Sequence, residues 1–430
     1  MSKSAVTAVK WLPISSMKMV SIAREARDAL PVAEDVMDDS EDQKLAPVIG
    51  DTCDVEKEFD MDNYDNEDEN TGLNYFSHID ADLRLNSKKD PYQNYDEPSD
   101  SEDDEFYAIK ETDLMFAAAC AEEDRSFVDI YVYDTVEYSM FTRQTFDLNS
   151  YPLALEFLPS FKNNDSSTLL AVGSFDQAID LWDVSDLTAD EPTASLGVAT
   201  DMKASGKKKS KTVVDSHTDA VLSLSTCPSS RHVLASGSAD NTVRIWDLNT
   251  LKTVKTLAHH SDKVQSVQWH PEEAAVLVTA GYDRFACVLD ARQATPTVRK
   301  AAVGSSDPES VHWVTSDPFN FVVTTEAGDV LCFDLRKMST DKVTKKPIWS
   351  VNAHTGACSS VAFGLDGRFV TTGVDGLAKV WKLEDEPKLL GQKEMAAGPV
   401  FSVSAIGDDL NYFAFAGNEA GIWNLQSEDF

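Results

Sequence analysis

The sequence predicts an all-β fold, a closed ring of seven small sheets, and two observations carry that prediction. First, an aromatic residue or Leu followed by Asp, or by a polar stand-in, recurs seven times. The pairs are Tyr133-Asp134, Trp182-Asp183, Trp246-Asp247, Leu289-Asp290, Phe333-Asp334, Trp381-Lys382 and Trp423-Asn424. Counted from the second residue of each pair, the steps are 49, 64, 43, 44, 48 and 42 residues. Second, the residues ahead of each pair read as short strands broken by tight polar turns. In the most regular copy, Val221, Leu222 and Leu224 belong to an innermost strand and Leu234 to Ser236 to a second. Ala239-Asp240-Asn241 makes the turn, and Thr242 to Trp246 a third strand. A period of roughly 40–45 residues with this dipeptide marks a seven-bladed WD-repeat β-propeller. Such a ring is one cooperative unit of about 300 residues or more. It overrules the two or three domains that 430 residues would otherwise suggest. A propeller generally works as a rigid platform for partners, which points away from catalysis.

From the N-terminus, Ala5 to Trp11 alternates like a strand and lacks the basic-then-apolar layout of a secretory signal. Val6-Thr-Ala-Val-Lys-Trp-Leu-Pro13 resembles the innermost strand Val264-Gln-Ser-Val-Gln-Trp-His-Pro271. Residues 1–12 are therefore expected to tie the N-terminus into the ring, because an unpaired blade edge is a liability. Either 5–12 form the innermost strand of the first blade, with 13–112 looping out, or they add an outer strand to the last. Val6, Val9 and Trp11 are its expected buried residues.

Within 13–112, Met19, Ile22, Ala23, Ala26 and Leu30 fall at helical spacing and Pro31 ends the run. Such a helix either packs on the ring or binds a partner. Residues 34–105 hold 26 Asp and Glu against 5 Lys and Arg, the largest part of a formal net charge of −35. Residues 34–70, with few core-forming side chains, are expected to be disordered in isolation and the insertion mostly irregular. Ser99 and Ser101 each have an acid three residues on, Glu102 and Asp104. That spacing suits an acid-directed kinase; the alternative is a solvated acidic linker.

Residues 113–430 carry the blades. Leu114 to Ala121 and Phe127 to Tyr133 supply second and third strands of the first blade. In the regular copy His217, Asp240, Trp246 and a serine, Ser236 or Ser238, form a buried hydrogen-bonded set, tolerable because each polar group finds a partner. His354, Asp375 and Trp381, with Thr371 or Thr372, repeat it. His260 and Asp283 precede Leu289 rather than Trp, and the copy around Phe321–Asp334 has no equivalent His. These His and Asp residues read as structural. The longest break, 184–215, contains Lys207-Lys208-Lys209-Ser-Lys211, open to three readings: nuclear import, rRNA phosphate contact or a solvated loop.

Other classes are poorly supported. The longest apolar stretch, Leu114 to Ala121, has 8 residues, against about 20 for a membrane span. The six cysteines are scattered without a CxxC pair, so a reducing compartment and no zinc site are expected. P-loop, GxSxG and His-rich metal motifs are lacking, so no catalytic residue, cofactor or small-molecule substrate is assigned. Strong acidity opposes non-specific nucleic-acid binding, so RNA contact requires local basic patches.

In combination these residues resemble the periodic tryptophan protein 1 family. The features shared are the Val-Thr-Ala-Val-Lys-Trp strand with a following helix, the acidic insert and Asp90-Pro91-Tyr92. Further along come the Lys-rich loop ending in Ser216-His-Thr-Asp-Ala-Val-Leu222, and Ala239-Asp-Asn-Thr-Val243 before Trp246-Asp247. Ser150-Tyr-Pro-Leu153 and His260-Ser-Asp-Lys-Val-Gln265 agree too, while Leu289, Lys382 and Asn424 depart from the ideal repeat. The resemblance implies a nuclear, largely nucleolar, non-enzymatic scaffold in early large-subunit ribosome assembly. Its implied partners are assembly factors, ribosomal proteins and pre-rRNA. Two alternatives stand beside it. One is a histone- or chromatin-binding propeller whose acidic insert meets basic tails. The other is a cullin-ligase substrate receptor, since Leu289-Asp-Ala-Arg292 and Phe333-Asp-Leu-Arg336 resemble adaptor-docking Asp-x-Arg boxes.

Overall fold

The computed structural model describes residues 5–13, 109, 112–159, 168–186, 189–197, 216–293, 296–364, 367–384, 386–395, 398–406 and 412–425. Among these there are strands and one 3-10 turn, Leu335–Lys337, but no α-helix. The helical pattern at 19–30, the acidic run, Ser99, Ser101 and Lys207, Lys208, Lys209 and Lys211 lie outside the described residues.

The strands form seven antiparallel sheets, a seven-bladed propeller. Blade one comprises β1 (Ala5–Leu12), β2 (Leu114–Ala121), β3 (Ser126–Asp134) and β4 (Ser139–Leu148). Blade two is β5 (Pro152–Leu158), β6 (Leu169–Ser174), β7 (Ile179–Asp183) and β8 (Ala194–Leu196). Blade three is β9 (Val221–Thr226), β10 (Val233–Ser238), β11 (Val243–Asp247) and β12 (Lys252–Leu257). Blade four is β13 (Val264–Trp269), β14 (Val276–Gly281), β15 (Phe285–Asp290) and β16 (Arg299–Ala302). Blade five is β17 (Pro308–Trp313), β18 (Asn320–Thr325), β19 (Asp329–Asp334) and β20 (Trp349–Asn352). Blade six is β21 (Cys358–Phe363), β22 (Arg368–Gly373), β23 (Leu377–Leu383) and β24 (Pro387–Glu394). Blade seven shows three strands among the described residues, β25 (Ser402–Ile406), β26 (Tyr412–Ala416) and β27 (Ala420–Asn424).

The core is not one mass but seven apolar clusters, each between adjacent blades. This follows from strand chemistry. Both faces of a blade are covered by neighbours, so inner and middle strands read as continuous β-branched and aromatic runs rather than as an alternation. Between blades two and three, Ile179, Leu181 and Leu196 meet Val221, Leu234 and Trp246. Side-chain hydrogen bonds to the next inner strand's backbone add register. Ser223 and Ser225 accept from the N–H groups of Val267 and Trp269 at 3.0 and 3.1 Å. Ser266 accepts from Val311 at 3.1 Å.

The N-terminal strand is the innermost strand of blade one. β1 pairs with β2 from Ala5↔Ala121 to Leu12↔Met115, with a register shift between Val6 and Ala8. One face sends Ala8 and Leu12 into the cluster with blade two. The other sends Val6 and Val9 against Ala414 and Ala416 of blade seven. The Val6 N–H donates to the Gly417 carbonyl at 2.7 Å, a direct backbone link across the closure. Trp11 corrects one expectation: it borders that second cluster but stays half-buried next to the end of its strand, and Leu12 is the fully buried residue.

Deleting residues 1–12 is expected to lower the melting temperature sharply, because it exposes the inner edge of β2 and both flanking clusters. Leu12→Ala alone should cost about 2–5 kcal/mol by cavity formation. An unchanged thermal melt after the deletion would show that the ring closes without this strand.

Candidate functional site: ring ends, axial channel and buried polar sets

Antiparallel pairing puts two kinds of loop at the same end of the ring. One is the turn between a blade's second and third strands. The other is the connection leading into the next inner strand. In blade three these two loops meet. His217 Nδ1 lies 2.9 Å from Asp240 Oδ2, and His217 Nε2 lies 2.6 Å from Ser236 Oγ. Trp246 Nε1–H donates to the same Ser236 Oγ at 2.8 Å. The serine of the set is therefore Ser236; Ser238 instead donates to the Asp219 carbonyl. Blade six repeats the arrangement: His354 lies 2.9 Å from Asp375 and 3.0 Å from Thr371 Oγ1, to which Trp381 donates at 2.9 Å. The hydroxyl there belongs to Thr371, while Thr372 bonds Ser359 and the Ser360 carbonyl.

Blade four keeps the set in altered form. His260 Nδ1 lies 2.9 Å from Asp283 and its Nε2 2.8 Å from Thr279 Oγ1. Leu289 stands where the Trp would be, and a second histidine, His259, approaches Thr279 Oγ1 at 2.9 Å. A three-atom polar contact survives the loss of the indole because another ring nitrogen fills it. The sequence pattern, which looked for Trp, missed His259.

These sets hold their carboxylates ionised. Burial opposes ionisation of Asp240, but hydrogen bonds from His217 and Thr242 outweigh it and hold its carboxyl well below the usual range. Asp283 and Asp375 behave alike through His260 and His354. Burial lowers the His354 imidazole, and it lowers His259 to about 3, helped by His260 and Lys300. In the first two sets His217 and His354 are fully enclosed among the described residues.

The seven inner strands line an axial channel of about 680 Å³. It is polar at one level: Lys10 Nζ lies 2.6 Å from Glu156 Oε2, joining blades one and two, and Glu156 Oε1 accepts from the Thr226 N–H at 3.1 Å. His312, also on the channel wall, is pushed down to about 4 by burial and then by Lys10. No nucleophile–base pair is assembled there among the described residues.

The end of the ring that carries the His–Asp sets is acidic. Glu122, Glu123, Asp176, Glu326 and Glu419 are exposed in its turns, with Arg125, Lys263 and Arg284 as counter-charges. The field is strong enough to matter locally. Burial and then the Glu326 and Asp307 carboxylates raise the Glu309 carboxyl, and burial followed by Glu309 pushes the Tyr282 phenol to about 12. Phe175, Val374 and Phe401 are exposed apolar side chains at this end, the first 60 % accessible. Gly197 and Ser216, the described residues on either side of 198–215, are at this end too. A Cβ on Gly197 (φ +84°) would sit 2.6 Å from the Ser216 Cβ, so Gly197 and Ser216 lie against each other.

A second basic feature escaped the sequence reading. The connection 335–348 between β19 and β20 exposes Arg336, Lys337, Lys342, Lys345 and Lys346. Arg336 is held by Asp334 at 2.9 Å and lies over the exposed Phe319 ring, 4.8 Å from its centroid. Thr344 exchanges backbone hydrogen bonds with Lys300 and Ala302 of blade four, fixing the segment along that blade's outer strand. Its signal was Lys342-Val-Thr-Lys-Lys346, shorter than the run at 207–211. In the two Asp-x-Arg boxes, Arg292 and Arg336 both fold back on their own aspartates, at 2.8 and 2.9 Å.

Comparison with known proteins agrees with this geometry. Residues 208–247, 251–290 and 345–382 match the WD domain, G-beta repeat family. A WD repeat-containing protein of Schizosaccharomyces pombe is 33% identical over 375 residues, 84% of this chain and 71% of its own. The periodic tryptophan protein 1 homolog of Drosophila melanogaster is 27% identical over 87% of this chain and 79% of its own. The chain belongs to the periodic tryptophan protein 1 family of WD-repeat proteins. Another member, periodic tryptophan protein 1 of Saccharomyces cerevisiae, is 27% identical over 81% of this chain and 70% of its own. A ribosome biogenesis protein WDR12 homolog of Chlamydomonas reinhardtii is similar over a shorter span, 33% identical over 27% of this chain and 24% of its own.

Two tests follow from the polar sets. Trp246→Ala is expected to destabilise by about 3–5 kcal/mol, through the cavity and the lost donor to Ser236, in denaturant melts. A variant that melts normally but loses a partner would make Trp246 a contact residue instead. The second test is acid titration. Asp240, Asp283 and Asp375 have depressed carboxyl values, so the stability they add is present above the unfolded value of about 4 and is lost as pH falls below it. The lowered His354, His259 and His312 act in the same direction, beginning as pH drops through about 6.5. Stability at constant salt should therefore fall from pH 6.5 downward and steepen below pH 4; a flat profile over that range would contradict the assignment.

Proposed function

We propose that this protein is a non-enzymatic scaffold in nucleolar assembly of the large ribosomal subunit. It would hold assembly factors and ribosomal proteins and touch pre-rRNA. The observation that carries this is the match to periodic tryptophan protein 1 over 87% of the chain. The shorter similarity to a ribosome biogenesis protein supports it.

The distribution of charge suits a division of labour. The acidic ring end, with Phe175, Val374 and Phe401 beside it, fits basic protein surfaces that also offer apolar anchors, as ribosomal proteins do. It repels RNA phosphates. RNA contact therefore falls to Lys207, Lys208, Lys209 and Lys211 and to the connection 335–348. In the latter the Arg336–Phe319 pair offers a stacking face beside lysines. The acidic insertion would shield basic partners until they dock, and phosphate on Ser99 and Ser101 would strengthen that charge. A histone-binding role is the second reading, favoured by the same acidic end.

Affinity purification with identification of co-purifying RNA and protein tests the proposal directly. Recovery of large-subunit precursor rRNA is expected; recovery of nucleosomes without it would favour the histone reading. For the basic patches, Lys207, Lys208, Lys209 and Lys211→Ala should leave the fold intact. It should lower the salt dependence of RNA binding by up to about 3–4 counterions. Lys342, Lys345 and Lys346→Ala should lower it by up to about 2–3. Unchanged RNA affinity of the first variant across the titration, with import impaired in cells, would reassign that loop to targeting.

A further inference from the structure

Blade four differs from its sister copies at three neighbouring positions, and the differences converge. Where Ser216 and Ala353 precede the set's histidine in blades three and six, blade four has His259. Opposite the set's hydroxyl, Ser236 pairs with Arg244 and Thr371 with Lys379, but Thr279 pairs with Cys287. Where Trp246 and Trp381 stand, blade four has Leu289. As a result a nitrogen of His259, a nitrogen of His260 and the Cys287 sulfur lie within 4.8 Å of one another.

The hydrogen bonding of this cluster leaves one ring nitrogen unmet. A carboxylate only accepts, so His260 Nδ1–H donates to Asp283, and in the neutral ring Nε2 is left with a lone pair facing Thr279. Thr279 Oγ1 donates its proton to His260 Nε2 and accepts from His259 Nε2–H, which takes the place of the indole donor of the sister blades. The remaining ring nitrogen, His259 Nδ1, is buried and has no partner at all. An Asp–His pair holding the far nitrogen as donor is also the usual outer support of a metal-bound imidazole.

We propose that His259, His260 and Cys287 bind one thiophilic cation of the Zn²⁺ class, through two imidazole nitrogens and the thiolate. Zn–N and Zn–S bonds of about 2.0–2.1 and 2.3 Å put tetrahedral ligand atoms roughly 3.3–3.6 Å apart, so only a small inward turn of the side chains is needed. As the Zn–S bond forms, the thiol proton leaves to solvent. His259 is the half-buried member and provides the entry path. Lys300 donates to the His259 carbonyl at 3.3 Å, and the Asp283 carboxylate offsets its charge.

The test uses the full-length protein, stripped of metal by chelation under reducing conditions. Zn²⁺ is titrated in competition with a chromophoric chelator, and Co²⁺ serves as a spectroscopic probe. One tight equivalent of Zn²⁺ is expected, with a thiolate-to-Co²⁺ charge-transfer band. Cys287→Ser should abolish the band. His259→Ala, the residue blade six carries naturally, should weaken Zn²⁺ at least about tenfold, read at a temperature where the metal-free variant's circular dichroism shows it folded. A wild-type protein without the charge-transfer band would overturn the site, with no variant required. So would a band that survives Cys287→Ser, or equal Zn²⁺ affinity in wild type and both variants, which would place the metal on the acidic segment.

Discussion

Closure of the ring depends on one antiparallel pair, β1 against β2. The two strands are separated in sequence by the whole of 13–113, yet they form the inner half of blade one. Bringing them together costs loop-closure entropy that grows only slowly with the length of the insertion. The return is large because β1 has two buried faces, one on blade two and one on blade seven. Every inner strand has the same geometry, so each blade is stable only when both neighbours are present. Closure is thus a condition for all seven clusters.

The His–hydroxyl–Asp sets are the polar counterpart of this closure. Each joins the connection into one inner strand to the turn of the same blade, which fixes the loops at one end of the ring. Enclosed polar groups stabilise only when their partners are complete. In blades three and six the indole N–H completes the set. Blade four replaces it with an imidazole and adds a thiol, and the unpartnered His259 Nδ1 beside that thiol is the local departure from the sister blades. Blade five dispenses with the histidine and ties Ser310 to Thr324 instead, at 2.8 Å.

Charge is separated along the molecule in a way that the total of −35 conceals. The end bearing the polar sets is acidic with exposed apolar side chains. The lysines of the connection 335–348 sit apart, beside the outer strand of blade four. A rigid ring can therefore present surfaces of opposite preference without their neutralising each other, as the proposed binding of basic proteins and phosphate backbone would require.

Periodicity alone determined much of this. The spacing of Trp246-Asp247 and its counterparts specified seven blades, since a 40-residue strand-turn pattern cannot bury both its faces except by stacking with copies of itself. The likeness of Val6–Pro13 to Val264–Pro271 marked an inner strand before any contact was known, because inner strands share the demand for two apolar faces. Tertiary structure decided the rest. Whether Ala5–Leu12 joined the first blade or the last depended on pairing with residues a hundred positions away. Trp11, expected to be buried, stays half-buried on the face toward blade seven, while Leu12 on the face toward blade two is fully enclosed. Ser236 rather than Ser238 faces His217 because of strand register. His259, His260 and Cys287 have no metal-binding spacing in sequence; they meet only because a loop and the third strand of blade four converge on Thr279, and that convergence is a property of the folded sheet.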